Sequence, residues 1–186
     1  MKIKKTRTAR RERNSPPQDV FSHLEVEIKK LDEDHWQDYR NLRLEALQGA
    51  SVAFGSSYEE EMTLSEADWK KRIPNALFAF ADGKPVGLIV FVFNRRAKTR
   101  HIVDIFSFYV KTAYRRKGIG QMLLETALAE TKAQKHVIKI RLSVNPEQKD
   151  AVRLYSKFGF KTVGCLEKEL LVDGRFYDEL VMEKYL

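Results

Sequence analysis

Residues 102 to 144 constrain the fold of this chain more than any other stretch. An apolar run, Ile102 to Val110, leads into a basic turn with two glycines, Arg115-Arg116-Lys117-Gly118-Ile119-Gly120. The turn opens directly into an amphipathic run, Gln121 to Gln134, with Leu123, Leu124, Ala127, Leu128 and Thr131 on one face. Ile138, Ile140, Leu142 and Val144 then alternate as a strand does. A strand, a helix and a second strand in this order make a parallel pair joined by a right-handed crossover. The turn itself suits an anion. The first N–H groups of a helix have no partner within it and sit at the positive end of its dipole. Glycines let the backbone close around such a ligand, and three cations attract it from a distance.

The same reading extends along the rest of the chain. Leu24 to Leu31 alternates as a first strand, and Asp32 to Asp34 supplies capping carboxylates for a helix from about His35 to Leu47. On that helix Trp36, Tyr39, Leu42, Arg43, Ala46 and Leu47 fall at helical spacing. Phe54-Gly55-Ser56-Ser57-Tyr58 and the following Glu59-Glu60-Glu61 read as a loop. A second helix starts at Ser65 and is stopped by Pro74. Ala76 to Ala81 and Val86 to Phe93 form a hairpin through Asp82-Gly83-Lys84-Pro85. The second of these runs is apolar throughout, as in a strand covered on both faces. Residues 147–158 place Ala151, Leu154, Tyr155 and Phe158 on one helix face, ended by Gly159. Two last strands, about 160–171 and 176–185, meet at Asp173-Gly174.

Charge separates the tail from the rest. Of a net charge of +8, residues 1–20 supply five, with seven basic side chains against Glu12 and Asp19. That segment has almost nothing apolar to bury and is expected to be disordered, leaving one domain over 21–186. A tail of this kind invites a nucleic-acid reading, but it equally fits a solvated extension, and nucleic acid is not the expected partner. No apolar run approaches the ~20 residues a membrane span needs. The N-terminus lacks the apolar core of a secretory signal, and Cys165 is the single cysteine, so the chain reads as cytoplasmic. His23, His35, His101 and His136 have no metal-ligand spacing, and no metal is expected.

The basic glycine turn between strand and helix, a following strand that ends Ser-Val-Asn, and then Ala-Val-Arg-Leu-Tyr-Ser-Lys-Phe-Gly-Phe resemble the GNAT superfamily of CoA-dependent N-acetyltransferases. The resemblance covers residues 24–186. It implies a single α/β domain with a mixed, mostly antiparallel sheet of six to seven strands, two splayed parallel central strands and about four helices. It also implies acetyl-CoA as cosubstrate. Arg115, Gly118 and Gly120 match the family's pyrophosphate loop, with Arg116, Lys117, Ile119 and Gln121 beside them. Phe108 and Val110 fall where the family's strand offers backbone groups to the pantetheine arm. Asn145 falls at the cofactor-contacting asparagine and Tyr155 at the usual general acid. Asp104 lies where histone-type members carry a base, and it reads either as that base or as a structural carboxylate. Tyr155 likewise reads as acid or as a packed tyrosine, and Asn145-Pro146 as cofactor contact or turn. An acetyl-cysteine route through Cys165 is not expected.

Acetyl transfer to an amine also sets demands of its own. A lysine-like amine has a pKa of ~10.4, so about one in a thousand is neutral at pH 7.4, a cost of ~4 kcal/mol that a proton acceptor reduces. Asp104 or an acid of the 59–61 run is the candidate. Charge growing on the carbonyl oxygen needs a donor, and the family resemblance implies a backbone N–H of the 102–110 strand. The acceptor side implied by the family contains Phe54, Tyr58, Glu59, Asp173, Arg175 and Tyr177. Aromatics with acids favour an amine with apolar bulk, while Arg175 would suit a carboxylate. The expected acceptor is a small-molecule amine such as an amino acid, polyamine or antibiotic. A protein N-terminus or lysine, or a non-catalytic acyl-CoA-binding module, are the alternatives, and a homodimer stays open.

Overall fold

The computed structural model of the chain describes residues 25–186. The disordered tail expected over 1–20 lies outside the described residues. In chain order the elements are β1 (Val26–Lys29), α1 (Trp36–Gly49), α2 (Tyr58–Met62), α3 (Glu66–Lys70), β2 (Ala76–Ala81) and β3 (Lys84–Phe93). They continue with β4 (Ile102–Val110), α4 (Ile119–Ala133), β5 (Lys139–Val144), α5 (Lys149–Lys157), β6 (Lys161–Val172) and β7 (Arg175–Tyr185).

The seven strands form one sheet in the order β1-β2-β3-β4-β5-β7-β6. Both Asp-Gly hairpins form, with left-handed backbone at Asp82 and Gly83 and again at Asp173 and Gly174, the geometry that matches strand twist in two-residue loops. Every neighbouring pair is antiparallel except β4 and β5. Those two are parallel, joined through α4 as the sequence requires.

Both faces of the sheet are covered, and β2 shows how. Leu77, Ala79 and Ala81 pack with Leu123, Leu124 and Ala127 of α4 and with Tyr155 of α5. Ala76, Phe78 and Phe80 pack on the other face with Tyr39, Leu42 and Leu47 of α1 and Trp69 of α3. Period-two alternation with both sets apolar is what a central strand requires.

Two local readings differ from the sequence expectation. The stretch read as a loop contains α2, held by a capping box: Ser57 Oγ accepts from the Glu60 N–H, and the Glu60 carboxylate accepts from the Ser57 N–H. The pattern Ser-x-x-Glu was visible, but five residues are too few for periodicity to register. The helix capped by Ser65 ends at Lys70, and Pro74 then sits inside a separate 3-10 turn, Ile73–Asn75.

Candidate active site

The site begins where β4 and β5 part. Their pairing runs from Ile102 opposite Lys139 to Ile105 opposite Leu142 and stops there, although β4 continues to Val110. On its other edge β4 stays paired with β3, but with an extra residue: Leu88 faces Tyr109 while Val90 faces Phe106. Ser107, at φ +49°, lies in this bulge, which re-aims the strand. From residue 106 onward one edge of β4 therefore has no β5 partner. The opening is a cavity of about 700 Å³, in the size range of small-molecule sites. Phe54, Asp104, Phe108, Asn145 and Tyr155 all line it.

The basic turn stands beside this fork. Gly118 is the N-cap residue of α4, at φ +82°, and no side chain among the described residues caps the helix. Its first N–H groups are left for another acceptor. A Cβ on Gly120 would meet Phe108 Cζ at 3.4 Å and Leu154 Cδ2 at 3.6 Å, so the helix start lies against the cavity wall. Ile119 is buried in the core. Arg115 turns back, its Nε donating to the Val110 carbonyl at 2.9 Å, with its guanidinium 5.7 Å from the Tyr109 ring. Arg116 is exposed and pairs with Asp150 at 3.7 Å. Lys117 lies over Tyr114 at 5.1 Å. Gln121 accepts from Lys157 Nζ at 2.9 Å and donates to Glu125 at 3.0 Å.

Across the fork, Asn145 directly follows β5 and is 2% exposed. Its Oδ1 accepts from the Glu147 N–H at 2.8 Å, while its Nδ2 is buried with no partner among the described residues. Tyr155 projects from α5 against Phe108 and Phe160, with ring centroids 5.9 and 5.8 Å away. Burial pushes its phenol well above the usual tyrosine range. It is thus a neutral hydroxyl at any ordinary pH. Asp104 is already engaged. Arg141 Nε donates to one oxygen at 2.7 Å and Asn94 Nδ2 to the other at 2.8 Å.

A second part of the lining comes from α1, α2 and the loop between them. Arg43 is buried and donates to both oxygens of Glu61, from Nε at 3.1 Å and from Nη2 at 2.9 Å. Ser56 joins both, and Arg72 Nη1 also reaches Glu61 at 2.9 Å. Burial alone would raise the Glu61 carboxyl, but the hydrogen bonds from Arg43 and Ser56 and the charges of both arginines outweigh it and hold it low. Glu179 of β7 is a third carboxylate on the lining, pushed upward by burial and by the neighbouring Glu169.

Five residues expected on the acceptor side, Tyr58, Glu59, Asp173, Arg175 and Tyr177, are not brought to the cavity wall. Tyr58 packs on the α1 core cluster, and Glu59 is exposed. Arg175 bonds to Glu147 at 2.8 Å and stacks over Tyr177 at 4.7 Å. Arg43, Ser56 and Glu179 were not singled out from the sequence. Arg43 did leave a signal, a cation among the apolar positions of a helix face. Glu179 left none, because nothing local shows which face of β7 meets the cavity.

A profile of the acetyltransferase (GNAT) family matches residues 28–160. The chain is similar to the L-amino acid N-acetyltransferase AaaT of Escherichia coli, 25% identical over 125 residues, which span 64% of this chain and 76% of that one. Among solved structures, the acetyltransferase of GNAT family from Streptococcus pneumoniae matches with a TM-score of 0.77 at 24% identity, covering 87% of this chain and 100% of that one. A GNAT superfamily phosphinothricin acetyltransferase from Sinorhizobium meliloti, solved in complex with AcCoA, matches with a TM-score of 0.73 at 18% identity, covering 87% and 88%. At these identities the structural matches bear on the fold.

Proposed function

This chain is an N-acetyltransferase of the acetyltransferase (GNAT) family, and from the cavity at its strand fork we propose that it moves an acetyl group from acetyl-CoA directly to the primary amine of a small molecule. One observation carries the reading. The unpaired edge of β4, the orphaned Asn145 Nδ2 and the Tyr155 hydroxyl share one cavity, beside a helix start that no side chain caps. An anionic ligand with a chain of amides fits these groups. Phosphate oxygens suit the bare N–H groups of α4, helped by Arg116 and Lys117. Amides suit the open edge of β4 near Phe108 and Val110 and the Asn145 amide. The E. coli relative named for L-amino acids supports a small acceptor.

Acetyl-CoA supplies an acyl group activated as a thioester; the protein supplies position, proton handling and charge stabilisation. Backbone N–H groups on the free edge of β4 are the donors we assign to the carbonyl oxygen as charge grows on it. Tyr155 donates its hydroxyl hydrogen bond toward the departing sulfur. The burial that raises the phenol also makes any thiolate beside it more basic, so donation is favoured where the charge develops. For the acceptor's proton we assign Glu179 rather than Asp104. Asp104 already has both oxygens bonded, whereas Glu179 has no hydrogen-bond or ion-pair partner among the described residues.

The test is acetyl-CoA turnover with a panel of amines, read as CoA release, in wild type and Tyr155→Phe. Tyr155→Phe should lower kcat more than ~10-fold, with acetyl-CoA affinity by calorimetry unchanged. Tight acetyl-CoA binding with no amine acetylated would sink the transferase reading in favour of a binding module. Unchanged kcat would remove Tyr155 alone.

A further inference from the structure

Arg43 is an unusual residue to find on the buried face of a helix. Its side chain is 5% exposed, a position guanidinium groups occupy only when paired. The pairing here is incomplete. Nε and Nη2 are spent on Glu61 and Ser56, and the ring of Phe54 lies 4.5 Å from the guanidinium carbon. The remaining nitrogen, Nη1, is buried with no partner among the described residues. Glu61 does not fully neutralise Arg43 either, because Arg72 claims the same carboxylate at 2.9 Å. Two guanidinium groups share one carboxylate, so the cluster holds one positive charge in excess. Arg43, Phe54, Ser56 and Glu61 all line the cavity that contains Tyr155 and Asn145.

We propose that Arg43 Nη1 binds the carboxylate of the acetyl acceptor, so that the acceptor is an amino acid, a small molecule carrying both an amine and a carboxylate. This rests on the acetyl-transfer reading above and adds the substrate class to it. A carboxylate answers both deficits at once: it accepts from the idle N–H groups and cancels the surplus charge. A simple amine does neither, and as an ammonium it is repelled. A neutral carbonyl, such as a peptide offers, accepts the hydrogen bond but leaves the charge buried. The grip of Glu61 and the Phe54 ring fix the guanidinium plane in advance, so little ordering is left for binding. Apolar walls from Ile105, Phe106, Leu142 and Val181 suit an apolar amino-acid side chain.

The experiment measures kcat/KM, per neutral amine, for a panel of the common L-amino acids, each paired with the amine left by removing its carboxylate. Wild type should favour the preferred amino acid over its decarboxylated twin by at least ~100-fold, the discrimination expected when a site built for a polar group is left unfilled. In Arg43→Lys that ratio should fall ~10-fold or more, because an ammonium cannot reproduce the fork. In the double variant Arg43→Gln with Glu61→Gln, which strands no buried carboxylate, it should approach one. A wild-type ratio near one with both twins acetylated would overturn the carboxylate anchor and leave acetyl transfer standing. A large ratio unchanged in both variants would overturn Arg43 as its source. Acetylation of peptide N-termini alone would overturn it too, since those carry no α-carboxylate. If no amine of any kind is acetylated although acetyl-CoA binds, the acetyl-transfer reading fails first. The wild-type ratio needs no variant to fold.

Discussion

The cavity has two parts built on different principles. Phe108, Asn145 and Tyr155 come from one continuous stretch, β4 to α5, and what they share is backbone shape: a bulge, a fork and an uncapped helix start. Arg43, Phe54, Ser56 and Glu61 come from α1, α2 and the loop between, and what they share is a buried charge cluster. Shape of the first kind uses groups that every residue carries and strands no charge. A charge cluster of the second kind holds only while every partner is present, because each lost partner leaves an ion in low dielectric. The α1–α2 part should therefore be the more fragile to single substitutions, and the fork the more tolerant.

Glu61→Ala breaks the charged part most directly. It leaves the Arg43 guanidinium buried beside Arg72 with no carboxylate, and removal of one partner of a buried pair costs about 3–5 kcal/mol. Urea unfolding at pH 7 should show that loss, and one below ~1 kcal/mol would class the cluster with exposed pairs and erase the contrast. The pH dependence has a definite sign. The Glu61 carboxyl is held low in the folded state, so its stabilisation is complete above the ordinary glutamate value, ~4.3, and fades as pH falls through the depressed folded value. The gap between wild type and Glu61→Ala should close in that acid range.

Glu179→Gln probes the junction of the two parts through rate instead of stability. A base that must be ionised gives kcat/KM an acid limb at its own pKa. Burial and then Glu169 raise that value in Glu179, so the limb should lie above the ordinary carboxylate range. Glu179→Gln should abolish the limb and lower the plateau ~100-fold, within the span of general-base effects. Glu169→Gln removes the like charge, so it should move the limb to lower pH. A limb that stays in place in Glu179→Gln would pass the role back to Asp104.

The same contrast decides what could be read from the sequence. The β4–α4–β5 unit and both hairpins were legible because period, turn chemistry and element order are local quantities. The parallel pair was legible too, since only a crossover fits between those strands. The chemistry of the α1–α2 part was not. Arg43 and Glu61 are 18 positions apart, and nothing in either segment announces the other. Glu61 also stood last in a run of three glutamates, of which Glu59 and Glu60 are exposed and Glu61 alone is buried. Only helical phase separates them, and the helix that sets that phase, five residues long, is too short for periodicity to reveal it.

The gentlest test falls on the fork, where Gly118 and Gly120 differ in kind. Gly118 stands at φ +82° with open space where a Cβ would be. Gly118→Ala therefore meets no clash and bears only the left-handed penalty, about 1–2 kcal/mol, or ~2–8 °C of melting temperature for a chain of this size. Gly120 lies in the first turn of α4 outside the left-handed region, so alanine gains up to ~1 kcal/mol of helix propensity. Against that, its methyl would meet Phe108 at 3.4 Å, an ordinary contact. Gly120→Ala should melt within a degree or two of wild type. Because its fold is spared, any fall in its acetyl-CoA affinity by calorimetry reports space lost beside Phe108 and not stability. Gly118→Ala should lose affinity by another route, through misdirection of the N–H groups it presents at the start of α4. If both variants bind acetyl-CoA as wild type does, the phosphate site is not at this helix start, and the tolerance expected of the fork would reflect only its distance from the ligand.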